Sequence, residues 1–273
     1  MMRPIALALA ACLVLVDQPA GAVTVNGFEM HVEERGSGEP LLLLHGFGSS
    51  GQAWNPVLED FSRRYRVIVP DLRGHGGSTN PSGEFTHRQS ARDIYALLDH
   101  LGIRRAKAMG ISTGGMTLVH MATSQAERLE AMVLIGATTY FPEQARAIMA
   151  RSGPDRLTTA DWERYRKLHR HGDEQIRALR RQFLNFKDSH EDMMFTPPYL
   201  ATIRARALII HGDRDQFFPV SIPIEMYQSI PNSALWIVPN GGHVPIFGAN
   251  RAEFLRIVSR FLAGEGVRAA PAR

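Results

Sequence analysis

Cysteine is almost absent from this sequence, which has one, Cys12, among 273 residues. A single thiol cannot close an intramolecular disulfide, so a small disulfide-stapled fold is excluded. The histidines are scattered, and none has the H-E-x-x-H or similar spacing of zinc ligands, so we predict no metal site. The glycine-rich loop 70–78 lacks both the P-loop ending and the G-x-G-x-x-G spacing, and we predict no cofactor.

Clusters of basic residues interleaved with aromatic residues are also lacking, which disfavours a nucleic-acid surface. The formal net charge of +4 is spread along the chain and favours solubility. With 44% hydrophobic and 21% charged residues, the composition is typical of one globular domain of good size that could carry an inserted subdomain.

The sequence lacks an apolar run long enough to span a bilayer, and the most apolar stretch that it has lies at the N-terminus. Met1 to Ala22 has the pattern of a secretory signal peptide, with Arg3, an apolar run over 5–16 and small residues at 20–22. The run is too short for a stable membrane span. We therefore expect export to the periplasm or the medium, with cleavage after Ala22. Two alternatives are a lipobox ending at Cys12 and a buried first helix.

Short apolar runs alternate with helical patterns through most of the chain. The segment 23–34 predicts a hairpin that turns at Asn26-Gly27. Continuous apolar runs predict buried strands at 41–44, 67–69, 106–109, 131–135, 207–210 and 235–238. Strands separated by helices imply an α/β fold with a mostly parallel sheet flanked by helices.

This alternation breaks between residues 140 and 200, which have helical periodicity and many charges. We therefore predict a core made of residues 23–139 and 201–263, a helical insertion over 140–200 and a flexible tail over 264–273. The insertion's large side chains could line a cavity or form its own core. They are Trp162, Tyr165, Phe183, Phe186, Met193, Met194, Phe195 and Tyr199.

The chemistry is concentrated in Gly110-Ile111-Ser112-Thr113-Gly114, a G-x-S-x-G that directly follows a strand-like run and precedes a helix-like one. In this context the pattern indicates a nucleophile elbow, in which glycines let strand and helix approach closely around a strained serine. Alone it is a weak signal, and the alternative is a glycine-rich helix start with an N-cap serine. Candidate partners follow in order: Asp213 or Asp215 after one strand, and His243 in Asn-Gly-Gly-His after the last.

A serine hydroxyl needs a base to become a nucleophile, and histidine, with an ordinary pKa near 6.5, suits this role. An acid must then fix the imidazole's tautomer. His243 is the candidate base because it follows two glycines after the last predicted strand. Periodicity does not choose between Asp213 and Asp215, because their orientation depends on whether the local chain is extended or turned.

Several stretches together resemble the α/β-hydrolase family: L-L-L-L-H-G-F-G, V-I-V-P-D-L-R-G-H-G-G-S, M-G-I-S-T-G-G-M, L-I-I-H-G-D-R-D-Q-F-F-P and V-P-N-G-G-H. The resemblance covers nearly everything after residue 23. It implies an α/β-hydrolase fold with a cap at 140–200, a triad of Ser112, Asp215 and His243, and an oxyanion hole from the backbone of Phe47 and Thr113. It also implies a structural role for His45.

The reaction that this resemblance implies is transfer of an acyl group to water from a small or medium ester, thioester or lactone. The same triad also serves carbon–carbon bond hydrolases and perhydrolases. Members of the former group often carry tryptophan after the catalytic histidine, where this chain has Val244. Dehalogenases and epoxide hydrolases of this fold have aspartate at the elbow, against Ser112. A ligand sensor with slow turnover is the alternative from another class. In each case the partner is a small molecule.

Overall fold

The structure is a computed structural model that describes residues 18–265. Most of the predicted signal peptide, including Arg3 and Cys12, lies outside the described residues, as does most of the predicted tail. Within residues 18–265, no helix is both long enough and apolar enough to cross a membrane.

A single eight-stranded sheet runs through the described chain. Its strands β1 to β8 are Gln18–Val25, Phe28–Arg35, Glu39–Leu44, Tyr65–Pro70, Ala106–Ile111, Leu129–Ile135, Arg206–Gly212 and Ser233–Val238. They lie in the order β1-β2-β4-β3-β5-β6-β7-β8, and every pair from β4 across to β8 is parallel. The first two strands are antiparallel. The predicted α/β fold with a mostly parallel sheet is therefore confirmed.

The first hairpin is also confirmed, although it begins earlier than predicted. Asn26 and Gly27 have φ values of 44° and 77°, which match a tight turn with both central residues left-handed. Strand β1 starts at Gln18, which pairs with Glu34, whereas we predicted the hairpin from Val23. The apolar pattern alone misses these first residues, because backbone pairing with β2 extends the strand beyond it.

Helices cover both faces of this sheet within residues 18–265. The helices α1 to α9 are Asn55–Ser62, His87–His100, Thr113–Ser124, Glu143–Ala150, Thr159–Leu168, Gly172–Asn185, Pro197–Leu200, Ser221–Ser229 and Arg251–Leu262. Side chains of α2, α3 and α8 pack into the core on one face, and those of α1 and α9 pack on the other.

The apolar run Leu41 to Leu44 shows why the sheet needs continuous hydrophobic strands. Leu42 and Leu44 enter the core beneath α2 and α3, while Leu41 and Leu43 enter the core beneath α1 and α9. All four leucines are fully buried. Side chains alternate between the faces of a strand, so a strand covered on both faces must be apolar at every position.

Helices α4 to α7 lie between β6 and β7 and leave the alternating pattern of the sheet. They contact the loop after β4, where Gln175 Nε2 donates to the carbonyls of Gly74 and Gly76 at 3.0 and 3.1 Å. The backbone N–H of Arg170 donates to Gly76 as well, at 2.9 Å. These contacts fix the segment over the carboxyl ends of the parallel strands, where an open α/β sheet usually binds its ligands.

Candidate active site

Ser112 lies at the turn from β5 into α3, in a strained backbone conformation with φ of 50° and ψ of −113°. Such a positive φ is uncommon for a residue with a side chain and costs about 1–3 kcal/mol. Two hydrogen bonds hold the turn: Ser112 N–H donates to Ile135 at 2.7 Å, and Met116 N–H donates to Ser112 at 2.9 Å. The fold therefore imposes this geometry on the serine.

The glycines on either side make this turn sterically possible. A Cβ at Gly110 would lie 2.4 Å from the backbone of Gly114, and one at Gly114 would lie 2.3 Å from the carbonyl oxygen of Leu44. Neither approach is possible with a side chain. The G-x-S-x-G spacing is thus a packing requirement at the crossing of β5, α3 and β3, as expected for an elbow.

His243 comes to Ser112 from the loop after β8. Its Nε2 lies 2.9 Å from Ser112 Oγ, and its Nδ1 lies 2.8 Å from Asp215 Oδ2. The rings of Phe217 and Phe218 lie 4.7 and 5.4 Å from the imidazole. The three predicted triad residues therefore form one hydrogen-bonded chain, although they are far apart in the sequence.

Of the two candidate acids, Asp215 and not Asp213 faces His243. The Asp215 side chain is fully buried, and its Oδ1 accepts the backbone N–H groups of Phe217 and Phe218 at 2.7 and 3.3 Å. Asp213 is exposed at the turn after β7. The fixed carboxylate can accept the Nδ1 proton of His243 and leave Nε2 free to act on the serine.

His211 lies close to the Asp215 carboxylate but makes its hydrogen bond to a backbone carbonyl. Its Nε2 is 3.6 Å from Asp215 Oδ2, whereas it donates to the carbonyl of Phe218 at 2.9 Å. Burial lowers the pKa of His211 below the ordinary value. The ring therefore acts as a neutral support for the loop that holds Asp215.

The two predicted oxyanion donors lie beside the serine. Thr113 is the first residue of α3, where backbone N–H groups have no carbonyl partner within the helix. Phe47 follows Gly46, where an added Cβ would lie 3.5 Å from Ser112 Cβ. Both residues line the same cavity as Ser112 and His243. A carbonyl oxygen bound there can meet two backbone donors and the positive end of a helix dipole.

His45 holds the loop of Phe47 through both ring nitrogens. Its Nδ1 contacts the carbonyl of Gly46 at 2.8 Å, and its Nε2 accepts the N–H of Leu72 at 2.9 Å. Burial lowers the pKa of His45, against the opposing pull of Asp71. This geometry requires a neutral ring, because a proton on Nε2 would break the bond to Leu72.

Ser112 opens into a cavity of about 380 Å³. Seven phenylalanines line it: Phe47, Phe141, Phe183, Phe186, Phe217, Phe218 and Phe247. Of the large side chains singled out in the insertion, Phe183 and Phe186 reach the cavity, while Tyr165, Met193 and Phe195 are buried elsewhere and Met194 and Tyr199 are exposed. Sequence analysis missed Phe141, Phe247 and His87 because these lie outside the motifs.

Between Gln18 and Glu265, no group of three His, Cys, Asp or Glu side chains is arranged to hold an ion. The polar atoms gathered at Ser112 are instead linked in a single hydrogen-bonded chain. The arrangement can activate a hydroxyl and stabilise an oxyanion.

Comparison with known proteins agrees with this arrangement. The family model described as alpha/beta hydrolase fold matches residues 39–161. The chain is 31% identical to 2-hydroxymuconate semialdehyde hydrolase of Pseudomonas putida over 266 residues, which is 88% of this chain and 93% of that protein. It also matches a soluble epoxide hydrolase of Corynebacterium sp. at 35% identity over 111 residues, covering 41% of this chain and 39% of that protein.

Among solved structures, the enol-lactonase of Burkholderia xenovorans LB400 superposes with a TM-score of 0.70 at 28% identity, covering 89% of this chain and all of that one. The fold, the elbow and the full-length relative together place this chain in the α/β-hydrolase family. The protein is thus a hydrolase of this family, as the motifs predicted.

Proposed function

We propose that this hydrolase cleaves uncharged carboxylic esters of small or medium size through an acyl-serine at Ser112. One observation carries the proposal. The Ser112 hydroxyl lies 2.9 Å from His243 Nε2 and opens directly into a cavity lined by phenylalanines. A nucleophile with its base in place, facing an apolar pocket, suits attack on the carbonyl of an apolar acyl group.

The first half of the reaction follows from the hydrogen-bonded chain. His243 Nε2 takes the proton of Ser112 as Oγ attacks the ester carbonyl, and Asp215 stabilises the imidazolium that forms. The carbonyl oxygen becomes an oxyanion that the N–H groups of Thr113 and Phe47 stabilise. His243 then gives its proton to the departing alcohol, which leaves the acyl group bonded to Ser112.

The second half repeats these steps with water. His243 removes a proton from a water molecule as its oxygen attacks the acyl carbonyl, and the same two N–H groups stabilise the second oxyanion. When the intermediate collapses, His243 returns the proton to Ser112 Oγ and the carboxylic acid is released. The acyl group remains among the phenylalanines until then, so its fit decides the rate of both halves.

The lining favours an uncharged substrate. Moving a carboxylate from water into a cavity of phenylalanine, methionine, isoleucine and valine side chains loses its hydration, which costs several kcal/mol or more unless a partner pairs with it. The name of the P. putida relative describes a hydrolase of an anionic substrate, a muconate semialdehyde. That relative supports carbon–carbon bond hydrolysis as the second candidate, which the cavity lining and Val244 after His243 both disfavour.

A panel of 4-nitrophenyl esters with increasing acyl length, assayed beside a muconate semialdehyde, tests the proposal. We expect fast multiple turnover of the esters, and Ser112→Ala should lower kcat on the order of 10⁴-fold or more. A fluorophosphonate probe should label the wild type but not this variant. Ser62→Ala, at the end of α1, is the matched control and should keep its activity.

Three results would contradict ester hydrolysis as the main activity. One is a folded Ser112→Ala variant with most of the wild-type rate. Faster turnover of the muconate semialdehyde than of any ester would favour carbon–carbon hydrolysis. A single slow turnover, accompanied by movement of the helices over 140–200, would favour a sensor.

Export stays part of the same proposal, supported by Arg3, the apolar run and the small residues at 20–22. Because β1 begins at Gln18, cleavage after Ala22 would leave Val23 to Val25 of that strand. Mass spectrometry of protein from the producing cell should find Val23 first. An intact Met1 in the cytoplasm would contradict export, and a diacylglyceryl group on Cys12 would identify a lipoprotein.

A further inference from the structure

A second histidine, His87, lines the catalytic cavity as the first residue of α2. It is fully buried among aromatic rings, with the Phe186, Phe85 and Phe141 centroids 5.3, 5.6 and 5.9 Å away. The triad does not include it. A polar ring in the middle of a phenylalanine-lined wall requires a reason, because burying an unsatisfied polar group costs about 1–3 kcal/mol.

One edge of the His87 ring is held by Asp192, which lies in the segment between α6 and α7. Nδ1 lies 2.6 Å from Asp192 Oδ2, and the same oxygen accepts the backbone N–H of His87 at 2.8 Å. Asp192 Oδ1 accepts the N–H of Arg88 at 3.1 Å. The carboxylate therefore caps α2 and fixes the ring orientation at the same time.

The charge of Asp192 fixes the tautomer of His87. Asp192 accepts three hydrogen bonds, from the backbone N–H groups of His87 and Arg88 and from His87 Nδ1, and these donors favour its ionised form. An ionised carboxylate can only accept, so Nδ1 carries the proton. A neutral ring then has its lone pair on Nε2.

The other ring nitrogen of His87, Nε2, has no such partner within residues 18–265. It is buried, and no hydrogen-bond partner for it occurs in the part of the chain that the structure describes. Asp192 already occupies the Nδ1 edge, while Phe186 and Phe141 beside the ring both line the cavity. The hydrogen bonds between Asp192 and α2 satisfy Nδ1 of the ring but not Nε2. Because His87 lies in the cavity wall, a donor on a ligand in the cavity can satisfy an acceptor at Nε2.

We infer that His87 Nε2 accepts a hydrogen bond from a hydroxyl group on the substrate's acyl part, and that it makes this enzyme selective for hydroxylated acyl groups, phenolic ones above all. The inference rests on the proposed ester hydrolysis at Ser112. An aromatic ring suits the phenylalanine lining, and its hydroxyl supplies the missing donor. The bond also holds the acyl group in place while it waits on Ser112 for water.

Matched substrates test this selectivity. They are 4-nitrophenyl 3-arylpropanoates that carry a hydroxyl or a methyl group at the ortho, meta or para position of the aryl ring, so that each pair differs little in size. For the wild type, kcat/KM should favour the hydroxyl ester of at least one pair by about tenfold, the value of one well-made hydrogen bond. In His87→Phe the ratio of the two rates should fall to about one or reverse, whatever happens to the rates themselves.

The control variant is His120→Gln, because His120 Nε2 contacts the carbonyl of the same Asp192 at 2.6 Å but does not line the cavity. This variant loosens the contact of Asp192 with α3, leaves its contacts with α2 in place and should leave the hydroxyl preference intact. His87→Gln keeps an acceptor and should retain part of the preference. Thermal unfolding and fluorophosphonate labelling of Ser112 show whether each variant is folded.

The outcomes separate this inference from the function on which it rests. If esters are turned over but no pair shows a hydroxyl preference, the role of His87 is overturned and ester hydrolysis stands. The same holds if His120→Gln removes the preference as fully as His87→Phe does.

A preference for a 4-carboxyphenyl acyl group would also overturn the role of His87 as an acceptor, because binding a carboxylate requires a donor at Nε2. If no ester is turned over, the proposed function fails first. Binding of hydroxylated and methylated arylpropanamides to Ser112→Ala, measured by calorimetry, then still decides about His87.

Discussion

Two histidines that line the same cavity are each paired with an aspartate, and the difference between the two pairs shows what makes such a pair a base. His243 and Asp215 are joined at 2.8 Å, and His87 and Asp192 at 2.6 Å, in both cases through Nδ1. Both carboxylates accept two backbone N–H groups in addition. The pairs are alike in chemistry and in local bonding.

What differs is the partner of the second ring nitrogen. Nε2 of His243 meets the Ser112 hydroxyl, which a strained turn holds in place. Nε2 of His87 is buried and meets no hydrogen-bond partner among the described residues, and we propose that a ligand supplies one. The pairing with aspartate orients an imidazole, but the group placed at its other edge decides whether the ring acts on a nucleophile or recognises a substrate.

Among changes to the two pairs, the largest expected effect comes from removing the charge of the catalytic aspartate. Asp215→Asn should keep the fold and lower kcat on esters by about 10²- to 10⁴-fold, because His243 loses its preferred tautomer and the support for its imidazolium. Steady-state kinetics on one 4-nitrophenyl ester measure this loss.

Asp213→Asn is the matched control, two residues away at an exposed position. It should cost far less in rate. If the two variants rank in the reverse order on the same ester, the acid of the triad is Asp213, and the comparison between the pairs fails at its first step.

The equivalent change in the second pair should affect folding more than rate. Asp192→Asn is expected to lower kcat/KM by no more than about tenfold, and to lower the free energy of unfolding by about 2–3 kcal/mol at pH 7. The pKa of Asp192 is lowered to about 2 in the fold. Its ionised form therefore stabilises the protein above pH 4, and this contribution is lost as the pH falls from about 4 to about 2.

Urea unfolding at pH 7, run beside ester kinetics, separates the two effects of Asp192→Asn. A loss of kcat as large as that of Asp215→Asn, with unchanged stability, would make Asp192 part of the reaction. If Asp192→Asn matched the wild type in both stability and rate, the charge of Asp192 at the start of α2 would contribute nothing to the free energy of unfolding.

The two pairs also differ in how far the sequence could predict them. Ser112 was recognisable because its backbone geometry imposes glycine at positions two before and two after, and this requirement is local. His243 stood out because it follows two glycines after the last strand. His87 has no such local signal, since its partner Asp192 is 105 residues away and the meaning of the ring arises only when the insertion closes over α2.

The fold itself was predictable where burial acts on every residue of a strand. The run Leu41 to Leu44 and its parallel neighbours are apolar throughout because both faces are covered. Strand ends were harder to predict. Ser233 and Ala234 belong to β8, although the apolar pattern begins only at Leu235, because backbone pairing with β7 extends the strand through partly exposed positions.

The smallest expected effect concerns another buried histidine, His169, whose two ring nitrogens both contact the backbone. Nδ1 accepts the N–H of Gly76 at 3.0 Å, and Nε2 lies 3.3 Å from the carbonyl of Gly48. Burial lowers the pKa of His169 to about 4, against the opposing bond to Gly48. Protonation would break the bond from Gly76, so the folded state favours the neutral ring.

The direction of the pH effect follows from this lowered pKa. Between about pH 6.5 and 4, unfolded His169 binds a proton that the folded ring does not, so the free energy of unfolding falls as the pH falls through this range.

Replacing His169 removes its contribution to this fall in the free energy of unfolding. In His169→Gln the loss of stability between pH 7.5 and pH 5 should be smaller than in the wild type by about 1–2 kcal/mol. Urea unfolding at the two pH values measures it, with the exposed His100→Gln as control. An identical fall in all three proteins would mean that His169 is protonated in the fold as readily as in the unfolded chain, and that its bonds to Gly76 and Gly48 do not select the neutral ring.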